Sequence, residues 1–116
     1  MITRIRLDNE VVGYKREEAN YVFFSKDLYG WNGKEIDYNQ EEKSTAYKDK
    51  NAKLIFENDV LEIKNKKEDS GHLYYIQFSN EELTLKAYNN GDSLKISTLL
   101  SNEYSIKKIG FLEKID

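Results

Sequence analysis

The sequence predicts a mainly β fold, in which short strands alternate with tight polar turns. Apolar and polar residues alternate in several short segments, and turn residues separate these segments at intervals of about 8 to 12 residues. The most helix-friendly run, residues 15–19, is too short to be stable alone. Such a pattern is typical of a small barrel or sandwich. We expect a small SH3-like β-barrel with an N-terminal hairpin or α+β extension.

The N-terminal part, residues 1–43, is expected to form a subdomain of hairpins. Asp8 and Asn9 are a turn signal between two apolar segments, and Asn32 followed by Gly33 is the strongest two-residue hairpin signal in the chain. The polar stretch Asn39–Ser44 is the expected linker to the next domain. The predicted strands here are Ile2–Leu7, Val11–Tyr14, Tyr21–Phe24 and Glu35–Tyr38.

The remainder, residues 44–116, is expected to form the β-barrel domain. Its central stretch, residues 47–64, contains an apolar run, a turn at Glu57-Asn58-Asp59 and then a strand with apolar residues at alternating positions. A second turn signal lies at residues 89–92. The further predicted strands are His72–Phe78, Leu83–Tyr88, Leu94–Leu100 and Tyr104–Ile115.

The central stretch carries a family resemblance. It reads YKDKNAKLIFENDVLEIK and resembles the signature of the YopX-like proteins of bacteriophages and prophages, roughly G-L-K-D-K-N-G-K-E-I-Y/F-E-G-D-I/V-V. Ile106–Leu112 is similar to the closing segment of that family, and the resemblance covers about residues 44–116. The matching residues are Lys48, Asp49, Lys50, Asn51, Lys53, Ile55, Phe56, Glu57, Asp59 and Val60.

The chain departs from this signature at two glycine positions, which Ala52 and Asn58 occupy. Asparagine can adopt a left-handed backbone conformation, whereas alanine is less comfortable there. The resemblance implies a phage or prophage accessory protein, and no known chemistry is attached to its motif.

The residue types argue against an enzyme. The chain has no cysteine and a single histidine, which excludes disulfides, thiolate zinc sites and cysteine nucleophiles. His72 has no nucleophile elbow to serve and is expected to be an exposed residue at the start of a strand. We therefore predict no catalytic residues, no cofactor and no metal site.

Three nearby carboxylates, Glu57, Asp59 and Glu62, could form an acid–base pair or hold magnesium. Asp59 and Glu62 are three residues apart in a strand, so they point to opposite faces and converge poorly. We expect Asp59 to cap its turn through backbone amides, and we expect replacement by asparagine to be tolerated.

Charge and hydropathy restrict the partners. The net charge is −3 and basic and acidic residues are interleaved, which argues against binding to nucleic-acid phosphates. No stretch reaches 18 consecutive apolar residues and no leader-like segment opens the chain, so we expect no membrane partner. The expected location is the cytoplasm of the bacterial host.

Aromatic residues suggest how a partner is bound. Tyr29, Trp31 and Lys34 lie in a glycine-containing loop and are the predicted partner-binding residues, because tyrosine and tryptophan are enriched at interface hot spots. The alternative is that the rings of Tyr29 and Trp31 cap the core. The first hypothesis is a non-enzymatic accessory protein that binds a host protein, with inhibition of a host defence system as its role. The alternative is a small β-barrel that binds nucleic acid in phage regulation or replication. Homo-oligomerisation is left open.

Overall fold

The computed structural model describes residues 1–32, 34–79, 82–89 and 93–114 and confirms the mainly β class. Its backbone divides into two units: Met1–Ser44 with Glu113 and Lys114, and Thr45–Leu112. The strands are β1 (Ile2–Leu7), β2 (Glu10–Glu18), β3 (Tyr21–Ser25), β4 (Gln40–Lys48), β5 (Leu54–Phe56), β6 (Asp59–Asn65), β7 (His72–Ser79), β8 (Glu82–Ala87), β9 (Leu94–Lys95) and β10 (Tyr104–Phe111).

The strands of the first unit form an antiparallel sheet in the order β3-β2-β1-β4. The predicted hairpin between β1 and β2 is present, with Ile5 opposite Gly13 and an irregularity in register directly after Ile5. β1 also pairs with β4, so that Arg4 lies opposite Glu42. Ile5 is fully buried and forms part of the apolar interior of this unit.

Residues 39–44 are not a linker, and that prediction is wrong. β4 begins at Gln40, because its backbone pairs with β1 and its Glu42 side chain is buried against two arginines. The Nε atoms of Arg4 and Arg6 lie 2.7 Å and 2.6 Å from Glu42 Oε1, and Arg6 Nη2 lies 2.9 Å from Oε2. An acidic side chain can be buried in a sheet when two basic side chains face it. A polar sequence such as this one therefore looks like a loop although it forms a strand.

Two other predictions for this unit differ from the structure. Glu35–Tyr38 is not a strand; it belongs to a loop that leads to β4. The hairpin signal at Asn32-Gly33 includes Gly33, which lies outside the described residues. The helix-friendly residues 15–18 are the end of β2, where pairing with β3 overrides their intrinsic preference.

The second unit contains the sheet β10-β6-β7-β8-β9, and it also contains β5 and the end of β4, residues 45–48. Its core is apolar, and partly buried side chains such as Tyr47 and Tyr104 pack against it. The predicted strand Leu94–Leu100 is only partly correct, because Ile96–Leu100 forms a 3₁₀ helix after the short β9. The buried core residues are Ile55, Leu61, Ile63, Ile76, Leu85, Leu99 and Ile106.

Strand pairing within the described ranges produces two antiparallel sheets, and none of the pairings closes a barrel. The predicted turn at residues 89–92 falls largely on residues 90–92, outside the described part of the chain. No helical segment among the described residues has the length and hydropathy of a membrane span.

Candidate functional site

The loop between β3 and β4, residues 26–39 without Gly33, is held in shape by a serine and an aspartate at its start. Ser25 Oγ accepts hydrogen bonds from the backbone N–H groups of Asp27 (3.2 Å) and Leu28 (2.9 Å). Asp27 Oδ1 accepts from the N–H groups of Tyr29 (2.9 Å) and Gly30 (3.0 Å). These bonds, with Gly30 contributing most and Tyr29 next, hold the pKa of Asp27 below its ordinary value.

Leu28 has a positive φ of 74°, which is costly for a side chain of this size. The conformation is fixed from two sides. The Leu28 N–H donates to Ser25, and its carbonyl oxygen accepts from the indole Nε1–H of Trp31 at 3.1 Å. These two hydrogen bonds fix the loop backbone at Leu28, and Tyr29 lies between Leu28 and Trp31 in sequence.

Trp31 packs against the sheet. Its ring centroid lies 4.8 Å from the guanidinium carbon of Arg16, and the ring of Phe23 lies 5.4 Å from the same atom. Arg16 is thus in cation–π contact with two rings, an arrangement that stabilises its partly buried guanidinium. The indole is half-buried, so this predicted binding residue also fastens the loop to β2.

Tyr29 and Lys34, the other two predicted binding residues, are exposed. The Tyr29 side chain is 90% exposed, and it has no hydrogen bond or ring contact with the described residues. The Lys34 backbone N–H donates to Asn32 Oδ1 at 3.0 Å, which orders the loop on the far side of Trp31. The loop therefore presents a free phenol ring on an ordered backbone.

A cavity of about 430 Å³ lies between the end of β3 and this loop. Its apolar lining comes from Phe24 and Ile36, two residues that no sequence motif marks as functional. Gly13 permits this packing, because a Cβ there would come within 2.8 Å of Ile36 Cδ1 and 2.7 Å of the Ser25 carbonyl oxygen. The lining residues are Phe24, Ser25, Lys26, Asp27, Gly30, Asn32, Lys34, Glu35 and Ile36.

A lysine–tyrosine–glutamate cluster lies on the sheet of the same unit. Lys15 Nζ contacts Glu41 Oε1, lies 3.0 Å from Tyr38 Oη and lies 3.2 Å from Glu17 Oε1. Burial alone would lower the pKa of Lys15, but the bonds to Glu41, Tyr38 and Glu17 raise it above the ordinary lysine value. A lysine held in its charged form is neither a base nor a nucleophile, so the cluster is structural.

In the second unit, Asp59 caps its turn as predicted. The carboxylate is fully buried, and its Oδ2 accepts from the Phe56 N–H at 2.7 Å and lies 3.0 Å from Lys108 Nζ. Glu62 is exposed and Glu57 is half-buried, so no second carboxylate of the three shares this buried position. The arrangement fixes β6 to β10 rather than assembling an acid–base pair.

Asp49 supports the same strand from the other side of the motif. Its Oδ2 accepts from the Lys108 N–H, and its Oδ1 accepts from the N–H groups of Asn51 and Lys53, all at 2.9 Å. Burial alone would raise the pKa of Asp49, but the Lys108, Lys53 and Asn51 amides outweigh it and hold the pKa below its ordinary value. Asp49 and Asp59, the two aspartates of the motif, therefore both support the backbone.

The two positions at which the resembling signature has glycine have left-handed backbones. φ is 61° at Ala52 and 69° at Asn58. Asparagine tolerates this conformation, whereas alanine is strained in it. The motif therefore has a structural explanation at these positions, independent of any ligand.

No group of three or more histidine, aspartate or glutamate side chains in the described ranges is placed to hold a metal ion. His72 is exposed at the first position of β7, as the sequence predicts. No protein-family model, curated protein or solved structure matches the chain. The candidate site therefore rests on the geometry of the β3–β4 loop.

Proposed function

We propose that this protein is a non-enzymatic binding module that contacts a partner protein through the β3–β4 loop, with Tyr29 as the central residue. The observation that carries the proposal is the 90% exposed ring of Tyr29 on a loop whose backbone is fixed by Asp27, Ser25 and Trp31. Tyrosine supplies a large contact area while only two side-chain torsions must be ordered.

Preorganisation is the energetic argument for this loop. A flexible loop loses conformational entropy when it binds, and that loss subtracts from the affinity. Here the hydrogen bonds to Asp27 and the contact between Trp31 and Arg16 have already restricted the backbone. The energy gained by burying Tyr29 is therefore available for binding, with Lys34 at the exposed rim.

The biological setting comes from the resemblance to YopX-like proteins. We place the protein among phage or prophage accessory proteins that act in the bacterial cytoplasm, and we propose a host protein as its partner. Inhibition of a host defence system is the role that this setting suggests. Such a role requires a binding surface and no chemistry, which agrees with a site built from an exposed tyrosine and a lysine.

An affinity capture from bacterial lysate, treated with nuclease, tests the proposal. The bait proteins are the wild type, Tyr29→Ala and Tyr88→Ala, the last being an exposed tyrosine of the second unit that serves as the matched control. We expect the wild type and Tyr88→Ala to retain the same protein. We expect Tyr29→Ala to bind it at least about fivefold more weakly, because a significant contact contributes more than about 1 kcal/mol.

Two outcomes would contradict this function. Equal retention by all three baits would remove the loop from the interface. Capture that disappears with nuclease, together with DNA affinity that falls steeply as salt is added, would favour the nucleic-acid alternative, since counterion release dominates such binding. The amide hydrogen exchange of Tyr29→Ala should match that of the wild type outside the loop.

A further inference from the structure

The cavity beside the β3–β4 loop has the dimensions and lining of a small-molecule site. Its volume of about 430 Å³ falls within the usual range of ligand pockets, roughly 300 to 1,000 Å³. Phe24, only 8% exposed, and the half-buried Ile36 supply an apolar surface. Such a surface binds the hydrocarbon part of a ligand by removing it from water.

Some charged groups around the cavity are already hydrogen-bonded within the protein, and others form no ion pair among the described residues. The Asp27 carboxylate accepts from two backbone amides and from the Ser25 hydroxyl, at 3.1 Å for the last. Lys26 and Lys34 are exposed, and neither ammonium forms an ion pair within the described ranges. Hydrogen-bond donors therefore surround the Asp27 carboxylate at the cavity wall, while the ammonium groups of Lys26 and Lys34 can attract an anion.

We propose that this cavity binds a small organic anion whose apolar body lies on Phe24 and Ile36 and whose carboxylate lies near Lys26 and Lys34. Glu35 and the hydrogen-bonded Asp27 also line the cavity, and their negative charges favour a ligand with one negative charge over a polyanion. The ligand is a free small molecule, and its binding does not depend on the proposed contact through Tyr29.

The cavity is formed before any ligand arrives. The Asn32 N–H donates to the Phe24 carbonyl oxygen at 3.2 Å, which ties the loop to the edge of β3. Ile36 packs over Gly13, where an added Cβ would come within 2.7 Å of the Ser25 carbonyl oxygen and 2.8 Å of Ile36 Cδ1. Both contacts hold residues that line the cavity in place, so that a ligand need not order them.

A nuclear magnetic resonance titration of the full chain tests this site with 3-phenylpropanoate as the probe. The matched controls are 3-phenylpropylamine and 3-phenylpropanol, which have the same apolar body with a positive charge or none. We expect 3-phenylpropanoate to shift the amide signals of Ser25, Gly30 and Asn32 with a dissociation constant on the order of 1 mM. The amine should bind at least about tenfold more weakly, because the ammonium groups repel it.

Charge reversal at the cavity provides the second arm. Lys34→Glu should weaken 3-phenylpropanoate binding about tenfold or more, whereas Lys66→Glu, an exposed lysine of the second unit, should leave it unchanged. The dispersion of the amide signals in the same spectra checks that both variants are folded. Affinity of Lys34→Glu equal to that of the wild type would overturn the assignment of the carboxylate to this part of the cavity.

Three other results would overturn the proposal. The first is the absence of amide shifts at the cavity with millimolar 3-phenylpropanoate. The second is binding of the amine as tight as that of the acid. The third concerns the source of the carboxylate: acetyl-glycyl-phenylalanine carries the same ring and a carboxylate at a chain end. Tenfold tighter binding of this peptide would assign the site to a protein C-terminus instead of a free small molecule.

Discussion

The two units of this protein have interiors of different chemistry. In the first, the described buried hydrophobic residues are Ile5 and Phe24, and charged groups such as Arg4, Arg6 and Glu42 are buried beside them. In the second, a cluster of seven buried apolar residues forms the core, and the buried charges among its described residues are Asp49 and Asp59, near the turns.

The two interiors should tolerate different kinds of substitution. Apolar side chains are attracted without direction, so a cluster of them can adjust to a modest change in shape. A buried ion pair depends on both partners and on geometry, because removing one partner leaves an uncompensated charge away from water. We therefore expect single charge-neutralising changes to be most damaging in the first unit.

The largest effect is expected for Glu42→Gln. The change leaves Arg4 and Arg6 facing an uncharged amide in a fully buried position, so the free energy of unfolding of the first unit should fall by about 3 to 5 kcal/mol. Trp31 is the only tryptophan and lies in this unit. Its fluorescence during urea denaturation therefore reports the unit in which the change is made.

Glu18→Gln is the control for that measurement. Its carboxylate is exposed, and it lies 3.4 Å from Arg16 Nε in a pair that contributes little. The control should unfold within about 0.5 kcal/mol of the wild type. If Glu42→Gln behaves like this control, the charged interior does not stabilise the first unit and the comparison fails.

A smaller effect is expected for Asp59→Asn in the second unit. From the turn alone asparagine should be tolerated, but the structure shows Lys108 Nζ 3.0 Å from the same oxygen that accepts the Phe56 amide. The loss of a charge-assisted interaction in a buried position should cost about 2 to 3 kcal/mol. Amide exchange at Leu61 and Ile63 measures this cost. An unchanged exchange rate would mean that Lys108 finds a substitute partner.

Asp49→Asn should cost somewhat less and should change the response to acid. Its amide group can still accept from Asn51 and Lys53, but its NH₂ faces the Lys108 N–H, so we expect a loss of about 1.5 to 2 kcal/mol near neutral pH. Because the pKa of Asp49 is lowered in the folded state, its stabilisation is complete above the ordinary aspartate value near 4. It is lost as the pH falls through the folded value.

The wild type should therefore lose more stability than Asp49→Asn when denaturation is repeated between about pH 5 and pH 2. Asp69→Asn, an exposed change in the loop before β7, is the control and should follow the wild type. Parallel pH profiles for the wild type and Asp49→Asn would show that this carboxylate does not couple acid to unfolding.

The smallest effect is a stabilisation by Ala52→Gly. Relief of a left-handed alanine contributes about 1 to 2 kcal/mol, and the greater freedom of glycine in the unfolded chain removes part of it. We expect a net gain of about 0.5 to 1 kcal/mol in the free energy of unfolding, measured by urea denaturation. Ala87→Gly, within β8, should instead destabilise by about that amount. A loss in both variants would contradict the strain at Ala52.

Sequence patterns predicted the second unit better than the first. β6 and β7 were predicted because Leu61 and Ile76 belong to apolar patterns that strands bury on one face, whereas β5 was predicted only as an apolar run. The turn role of Asp59 followed from local turn chemistry, which acts over a few residues. Its partner Lys108 lies 49 positions later, and such a pairing depends on strand order.

The candidate site was predicted only in part. The composition of the loop was enough to select Tyr29, Trp31 and Lys34 as candidate binding residues. It did not predict their separate roles. Trp31 is fastened to Arg16 on a neighbouring strand, and this contact leaves Tyr29 as the exposed ring. The cavity depends on the packing of Ile36 over Gly13. These two residues are far apart in the sequence, so no local sequence pattern predicts their contact.

Local alternation, turn residues and composition were enough to predict the mainly β class, the turn at Asp8-Asn9, the turn at Glu57-Asn58-Asp59 and the absence of cysteine chemistry. That β4 is a strand follows only from its tertiary contacts. Its Glu42 has the sequence character of a surface residue, and it becomes an interior residue because β1 brings Arg4 and Arg6 to within hydrogen-bonding distance. A charged side chain can be buried only where a residue of opposite charge lies beside it, and the fold determines which residues lie beside each other.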